Sequence, residues 1–225
     1  MESAERRVGT VVRLLRRRYP RARTSLDFGS PLEILVATIL AAQCTDERVN
    51  TLTPGLFRRY PTAAALARAD RAELEALIRP AGFFRNKAKA IAGAAARIVD
   101  VYGGVVPDTM AELVTLPGVA RKTANIVLSA GYGKAEGIAV DTHAGRLARR
   151  LGFSREKDPV KVERDLMALV PKKDWLDLNV LLVAHGRAVC RSLKPACGAC
   201  SLAELCPSAG TAAAAASSAG GKKGR

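Results

Sequence analysis

Aromatic residues are scarce in this chain, at 4% of 225 positions with a single tryptophan, and histidine occurs only twice. No run of about 20 apolar residues exists, which excludes a membrane-spanning helix. A signal peptide is not expected either, since Met1 to Arg18 carries six arginines and no long apolar stretch. No window alternates apolar and polar residues well enough for a strand, and no repeat of about 20–50 residues is evident, which disfavours a solenoid. Acidic residues are few: 21 Asp and Glu stand against 36 Lys and Arg, a formal net charge of +15. What is present is apolar and basic. Hydrophobic residues make up 48% of the chain, enough to collapse, so disorder throughout is excluded. The expectation is a monomeric, cytoplasmic globular protein whose basic excess seeks a polyanion, by default nucleic acid.

The charge is unevenly spread. Residues 1–23 hold eight arginines against Glu2 and Glu5, and Val8, Val11, Val12 and Leu15 fall at helical spacing among them. That pattern predicts an amphipathic helix with a basic outer face. Residues 208–225 form a low-complexity Ala/Ser/Gly tail with a net +3 and nothing large enough to pack, so disorder is expected there. Between these ends the apolar periodicity is helical throughout. Helices are expected over 31–43, 46–60 (broken at Thr53-Pro54), 62–69, 70–78, 86–102, 109–114, 120–130, 142–151, 159–170 and 174–189. The predicted class is all-α.

Two segments carry chemistry. In Leu116-Pro117-Gly118-Val119-Ala120-Arg121-Lys122-Thr123-Ala124, a Pro-Gly turn separates two helical patterns, and Gly118 can supply a positive φ. The amide protons that open the following helix are suited to a backbone phosphate, so this hairpin reads phosphate rather than base edges. The second segment is Cys190-x6-Cys197-x2-Cys200-x5-Cys206. Four thiols in a compact loop of a cytosolic chain point to zinc or an iron–sulfur cluster rather than disulfides. Only one short knuckle occurs, and the wide gaps around it favour the larger cluster. Cys44, far from the others, is expected as a small core residue, and Trp175 is expected in the core.

The hairpin, the Val140-Asp141-Thr142-His143 segment and the four-cysteine loop stand in one order and together resemble endonuclease III, a bifunctional DNA glycosylase and abasic-site lyase of base excision repair. The similarity runs from about residue 5 to 207. Ala120 departs from it, where many members carry glycine, as does Phe83, where an aliphatic residue is familiar; alanine needs only ordinary helical backbone at its place. The resemblance implies two helical lobes with the active site in the cleft between them. Residues 26–137 would form a six-helix lobe with the helix-hairpin-helix at about 109–130. Residues 1–25 and 138–207 would form a second lobe holding a [4Fe–4S] cluster on Cys190, Cys197, Cys200 and Cys206. It also implies Lys122 as nucleophile, Asp141 as catalytic carboxylate, and damaged double-stranded DNA as partner, which would make the protein nucleoid-associated.

By the same resemblance Gln43 fills the space left by an extruded nucleotide, and Phe83 wedges the opposite strand. Gly118, Ala120, Arg121, Arg191 and Lys194 would meet the DNA, and the carbonyls of Val114, Leu116 and Val119 would hold a monovalent cation. Arg187, Arg191 and Lys194 are the cations expected to offset the cluster charge, and His143 and His185 are expected to be structural. The chemistry is consistent with a lysine, because only a neutral amine attacks C1′ and the positive end of a helix favours the neutral form. Asp141 also reads as the N-cap of the helix that starts at Thr142, and both tasks can coexist. Two alternatives remain. One is an adenine-mismatch glycosylase of the same architecture, which lacks the hairpin lysine and adds a C-terminal domain. The other is a non-catalytic DNA-binding module with a four-cysteine metal site.

Overall fold

A computed structural model describes residues 3–210, and every regular element among them is helical. The chain folds as two compact units, one of Thr24–Glu136 and a discontinuous one of Met1–Arg23 with Gly137–Arg225.

The Thr24–Glu136 unit contains α2 (Pro31–Leu40), α3 (Asp46–Arg59), α4 (Ala63–Ala67), α5 (Arg71–Ile78), α6 (Phe84–Tyr102), α7 (Met110–Leu113) and α8 (Arg121–Ile126). Helix α2 is the central one: Ile34 to Leu40 are all buried, as expected of a short apolar helix surrounded by others. It starts where Ser30 accepts a hydrogen bond from Glu33 N, with Pro31 in the first turn. Thr45, Thr62, Asp70 and Thr109 cap α3, α4, α5 and α7 in the same way. The expected break at Thr53-Pro54 does not occur. Helix α3 runs through it, because Pro54 and Gly55 lie on the exposed face while Val49, Thr53 and Leu56 pack inward. Helix α8 passes into a wider π-type turn over Val127–Gly131.

The other unit contains α1 (Ala4–Arg18), α9 (Thr142–Arg150), α10 (Pro159–Leu169) and α11 (Trp175–Ala188), followed by two short 3-10 turns at Cys197–Ala199 and Ala203–Leu205. Val8, Val11, Val12 and Leu15 of α1 are buried in a core with Leu147, Leu151, Leu166, Leu178 and Leu182. Trp175 packs partly buried against this core and donates to Val170 O at 2.7 Å. The basic face of α1 is not all outward: Arg7 is buried and donates to the carbonyls of Leu151 and Leu205. Arg16 pairs with Asp174 at 2.6 Å and Asp177 at 2.8 Å. At the start of the expected tail, Ala209 N donates to Cys206 O and Ser208 to Gly210 form a turn. The remainder of that segment, 211–225, lies outside the described residues.

Candidate functional site

The hairpin between α7 and α8 is built on small residues of α6. Gly118 adopts φ 76°, and a Cβ there would lie 2.6 Å from Ala90 Cβ, so both backbone and space require glycine. Gly93 also lies close to the turn, because a Cβ on it would meet the Pro117 ring at 3.3 Å. Val119 N donates to Leu116 O and closes the turn. Ala120 is the N-cap of α8 with φ −94° and ψ 170°, extended rather than the helical backbone expected of it, and equally open to alanine. Lys122 then stands exposed in the first turn of α8, beside half-buried Arg121.

In the other unit Asp141 is half-buried and caps α9, its Oδ1 accepting from Ala144 N at 2.7 Å. One residue on from the helix start, His143 Nδ1 lies 3.0 Å from Arg146 Nη2, and burial pushes its imidazole below the usual range. A Cβ on Gly186 would meet His143 Nδ1 at 2.8 Å, so α11 passes close to α9 here.

All four loop cysteines, none in a disulfide, line one cavity together with Leu147, His185, Val189 and Leu202. The thiols surround this space without converging on a point: among the described residues no three His, Cys, Asp or Glu side chains could hold a single metal ion. Burial pushes the Cys200 and Cys206 thiols up, so thiolates in this pocket need positive charge beside them. Cationic and N–H donors are present. Arg150 Nη1 lies 3.3 Å from Cys190 Sγ, and Leu202 N lies 3.4 Å from Cys200 Sγ. His185 is buried, with Nε2 3.4 Å from Cys200 Sγ and Nδ1 3.0 Å from the Tyr19 hydroxyl; burial, and then Arg18, push its pKa down to about 4.

Sequence reasoning missed the arginines that grip this loop. Arg146 donates to Cys190 O and Gly186 O, and Arg150 to Arg191 O and Ser192 O, both reaching from α9. Arg191 and Lys194, the cations expected near the cluster, are exposed on the loop, Lys194 with a left-handed φ of 51°. Only the helical spacing of Arg146 and Arg150 could have signalled a shared face.

Gln43 and Phe83, the two residues singled out for entry into a duplex, are both exposed in the Thr24–Glu136 unit. Phe83 is 65% exposed, whereas Phe84 packs partly buried against the core. Cys44 packs partly buried against that same core.

Residues 36–172 match the family model of HhH-GPD superfamily base excision DNA repair proteins. The chain is 55% identical over 209 residues to endonuclease III of Synechocystis sp., covering 93% of its own length and 95% of that relative's. Among solved structures it is similar to a non-covalent endonuclease III–DNA complex, with a TM-score of 0.87 and 38% identity over 94% of this chain and 98% of that one. A trapped endonuclease III–DNA covalent intermediate is equally similar, with a TM-score of 0.87 and 38% identity over 94% of this chain and 99% of that one.

Proposed function

The chain belongs to the HhH-GPD superfamily of base excision DNA repair proteins and, within it, to the endonuclease III family; from that premise we propose that it excises damaged bases from duplex DNA and cleaves the strand at the abasic site it creates. The observation that carries this reading is Lys122, exposed in the first turn of α8 behind a turn that only glycine can make. Neutral Lys122 Nζ attacks C1′ of the deoxyribose, and the bond from C1′ to the base breaks with its electron pair leaving on the base, which takes up a proton. The amine loses a proton as the sugar ring opens to a Schiff base. Removal of a proton from C2′ then expels the 3′ phosphate by β-elimination. Asp141 stabilises the cationic sugar as the base departs and moves protons in the later steps. Its cap to Ala144 N fixes the direction of the carboxylate.

Oxidised and ring-saturated pyrimidines are the substrates this family membership favours. The amides around Gly118 and Ala120, with Arg121, grip phosphate; Arg191 and Lys194 do so from the cysteine loop; Gln43 and Phe83 enter the opened duplex. Cys190, Cys197, Cys200 and Cys206 fit a [4Fe–4S] cluster, since all four thiols line one cavity. When bound, the cluster supplies a cross-link for the loop and no chemistry on the base. The carbonyls of Val114, Leu116 and Val119 would take a monovalent cation in the hairpin. A DNA substrate and thiolate ligands together suit the nucleoid of a reducing cytoplasm. Neither the adenine-mismatch alternative nor a non-catalytic module is favoured by these relationships.

Borohydride reduction of the working enzyme tests the reading. Native protein is expected to form a covalent adduct with damaged duplex and to cleave abasic DNA without magnesium. Lys122→Gln is expected to lose both, and a variant that still trapped fully would overturn the assignment.

A further inference from the structure

Gln43 and Phe83 share a backbone feature that neither residue type favours. Both have left-handed φ, 54° and 47°, although neither is glycine. Gln43 lies in the turn after α2, and Phe83 is the N-cap of α6, directly after Gly82 at φ 71°. Such conformations persist only when the surroundings hold them in place.

The group that joins the two turns is Lys87. It is only 5% exposed, an unusual fate for lysine, and among the described residues it forms no ion pair with a carboxylate. Its Nζ donates to Leu40 O and to Ala81 O, each at 2.8 Å. Leu40 ends α2, three residues before Gln43, and its carbonyl is one of those a helix C-terminus leaves without an internal partner. Ala81 lies two residues before Phe83, in the 3-10 turn Arg79–Ala81. One ammonium therefore ties the ends of both segments. Burial pushes the Lys87 amine below its usual range, with Cys44 opposing, and the two carbonyl acceptors are what fix its position. Arg48 Nη1 makes a longer link from α3 to the same turn, 3.4 Å from Pro80 O.

We infer that Lys87 is a positioning residue for duplex opening: it fixes the Gln43 and Phe83 turns relative to each other, so that the two side chains enter the helix together. This rests on the roles proposed above for Gln43 and Phe83. It makes no claim on the chemistry at C1′, so its effect belongs to paired DNA alone.

The test compares Lys87→Met, which keeps the apolar stem and loses the donors, with the cluster-loaded native enzyme. Single-turnover excision from a lesion duplex is expected to fall at least about tenfold, while cleavage of a single-stranded abasic oligonucleotide changes by about twofold or less. A 2-aminopurine placed opposite the lesion should brighten less on binding, reporting reduced opening. Combining Lys87→Met with Phe83→Ala should cost less than the two separate losses together, because the two substitutions act partly on one function. Equal losses on paired and single-stranded DNA, or additive losses in the double variant, would overturn the inference. Neutral Gln43→Ala and Phe83→Ala variants would instead remove the underlying reading, and the inference with it. Should Lys87→Met fail to fold, exposed Arg48→Met tests the same turn, with an expected loss of about two- to fivefold confined to duplex; no loss there would count against the bridge.

Discussion

Asp141 carries a capping bond and, in the proposed mechanism, the charge that faces a departing base, and two substitutions separate these tasks. Asparagine ranks with aspartate as an N-cap, whereas alanine gives up about 1 kcal/mol. Asp141→Asn is therefore expected to keep most of the stability and lose about 100-fold or more in single-turnover excision, and Asp141→Ala to lose both. Thermal unfolding beside excision rates checks this; an Asp141→Asn enzyme of native activity would leave the carboxylate as a cap only. At this scale much was legible. The turn glycine, the cap at Asp141 and the inward Val8, Val11, Val12 and Leu15 all follow from residue type and spacing. What escaped were polar groups turned inward: Arg7 and Lys87 are long cations, normally outside, and of the carbonyls that hold them those of Leu151, Leu205 and Leu40 lie far along the chain. Nor does any sequence pattern announce a left-handed phenylalanine, because the strain at Phe83 is imposed by its surroundings.

Helix starts were more legible than helix interiors or ends. Ser30, Asp70, Thr109 and Asp141 all accept a bond from a first-turn amide, a signal local to four residues. The ends have no comparable marker, and α2 stops at Leu40 where periodicity alone extends to Gln43. Helix α3 shows why a local breaker can mislead. Pro54 removes one amide donor in mid-helix, yet buried Val49, Thr53 and Leu56 keep the element intact through tertiary packing. The helix therefore retains a local cost that packing outweighs. Pro54→Ala, on the exposed face, is expected to raise stability by about 1–3 kcal/mol, read as a higher denaturant midpoint with unchanged slope. No gain would mean that α3 has bent to accommodate the ring.

The net charge of +15 acquires a location once the units are known: Thr24–Glu136 carries only +2 by composition, and the discontinuous unit carries +13. The unit that contains the four cysteines is thus also the basic one, and like charges within it repel. Its last described segment has little regular structure to resist that repulsion, since among the described residues after α11 the helical elements are two three-residue 3-10 turns. Arg7, Arg146 and Arg150 each donate to backbone carbonyls of this segment or the turn that leads into it, which leaves the ring of four thiols as the other candidate tie. A cluster with four thiolates would add negative charge where the excess is positive and cross-link four points of the chain. Removing it by acid and chelation, or by Cys200→Ser, should therefore act locally. Absorbance near 400 nm should vanish. Amide exchange at Cys197, Cys200 and Leu205, whose hydrogen bonds all lie within the loop, should accelerate at least about tenfold, while the buried amides of α2 and α6 keep their protection. Unchanged exchange in the loop would show that the arginines alone hold it. An equal loss of protection in both units would show that the chain unfolds as one cooperative body, and that the cluster stabilises all of it.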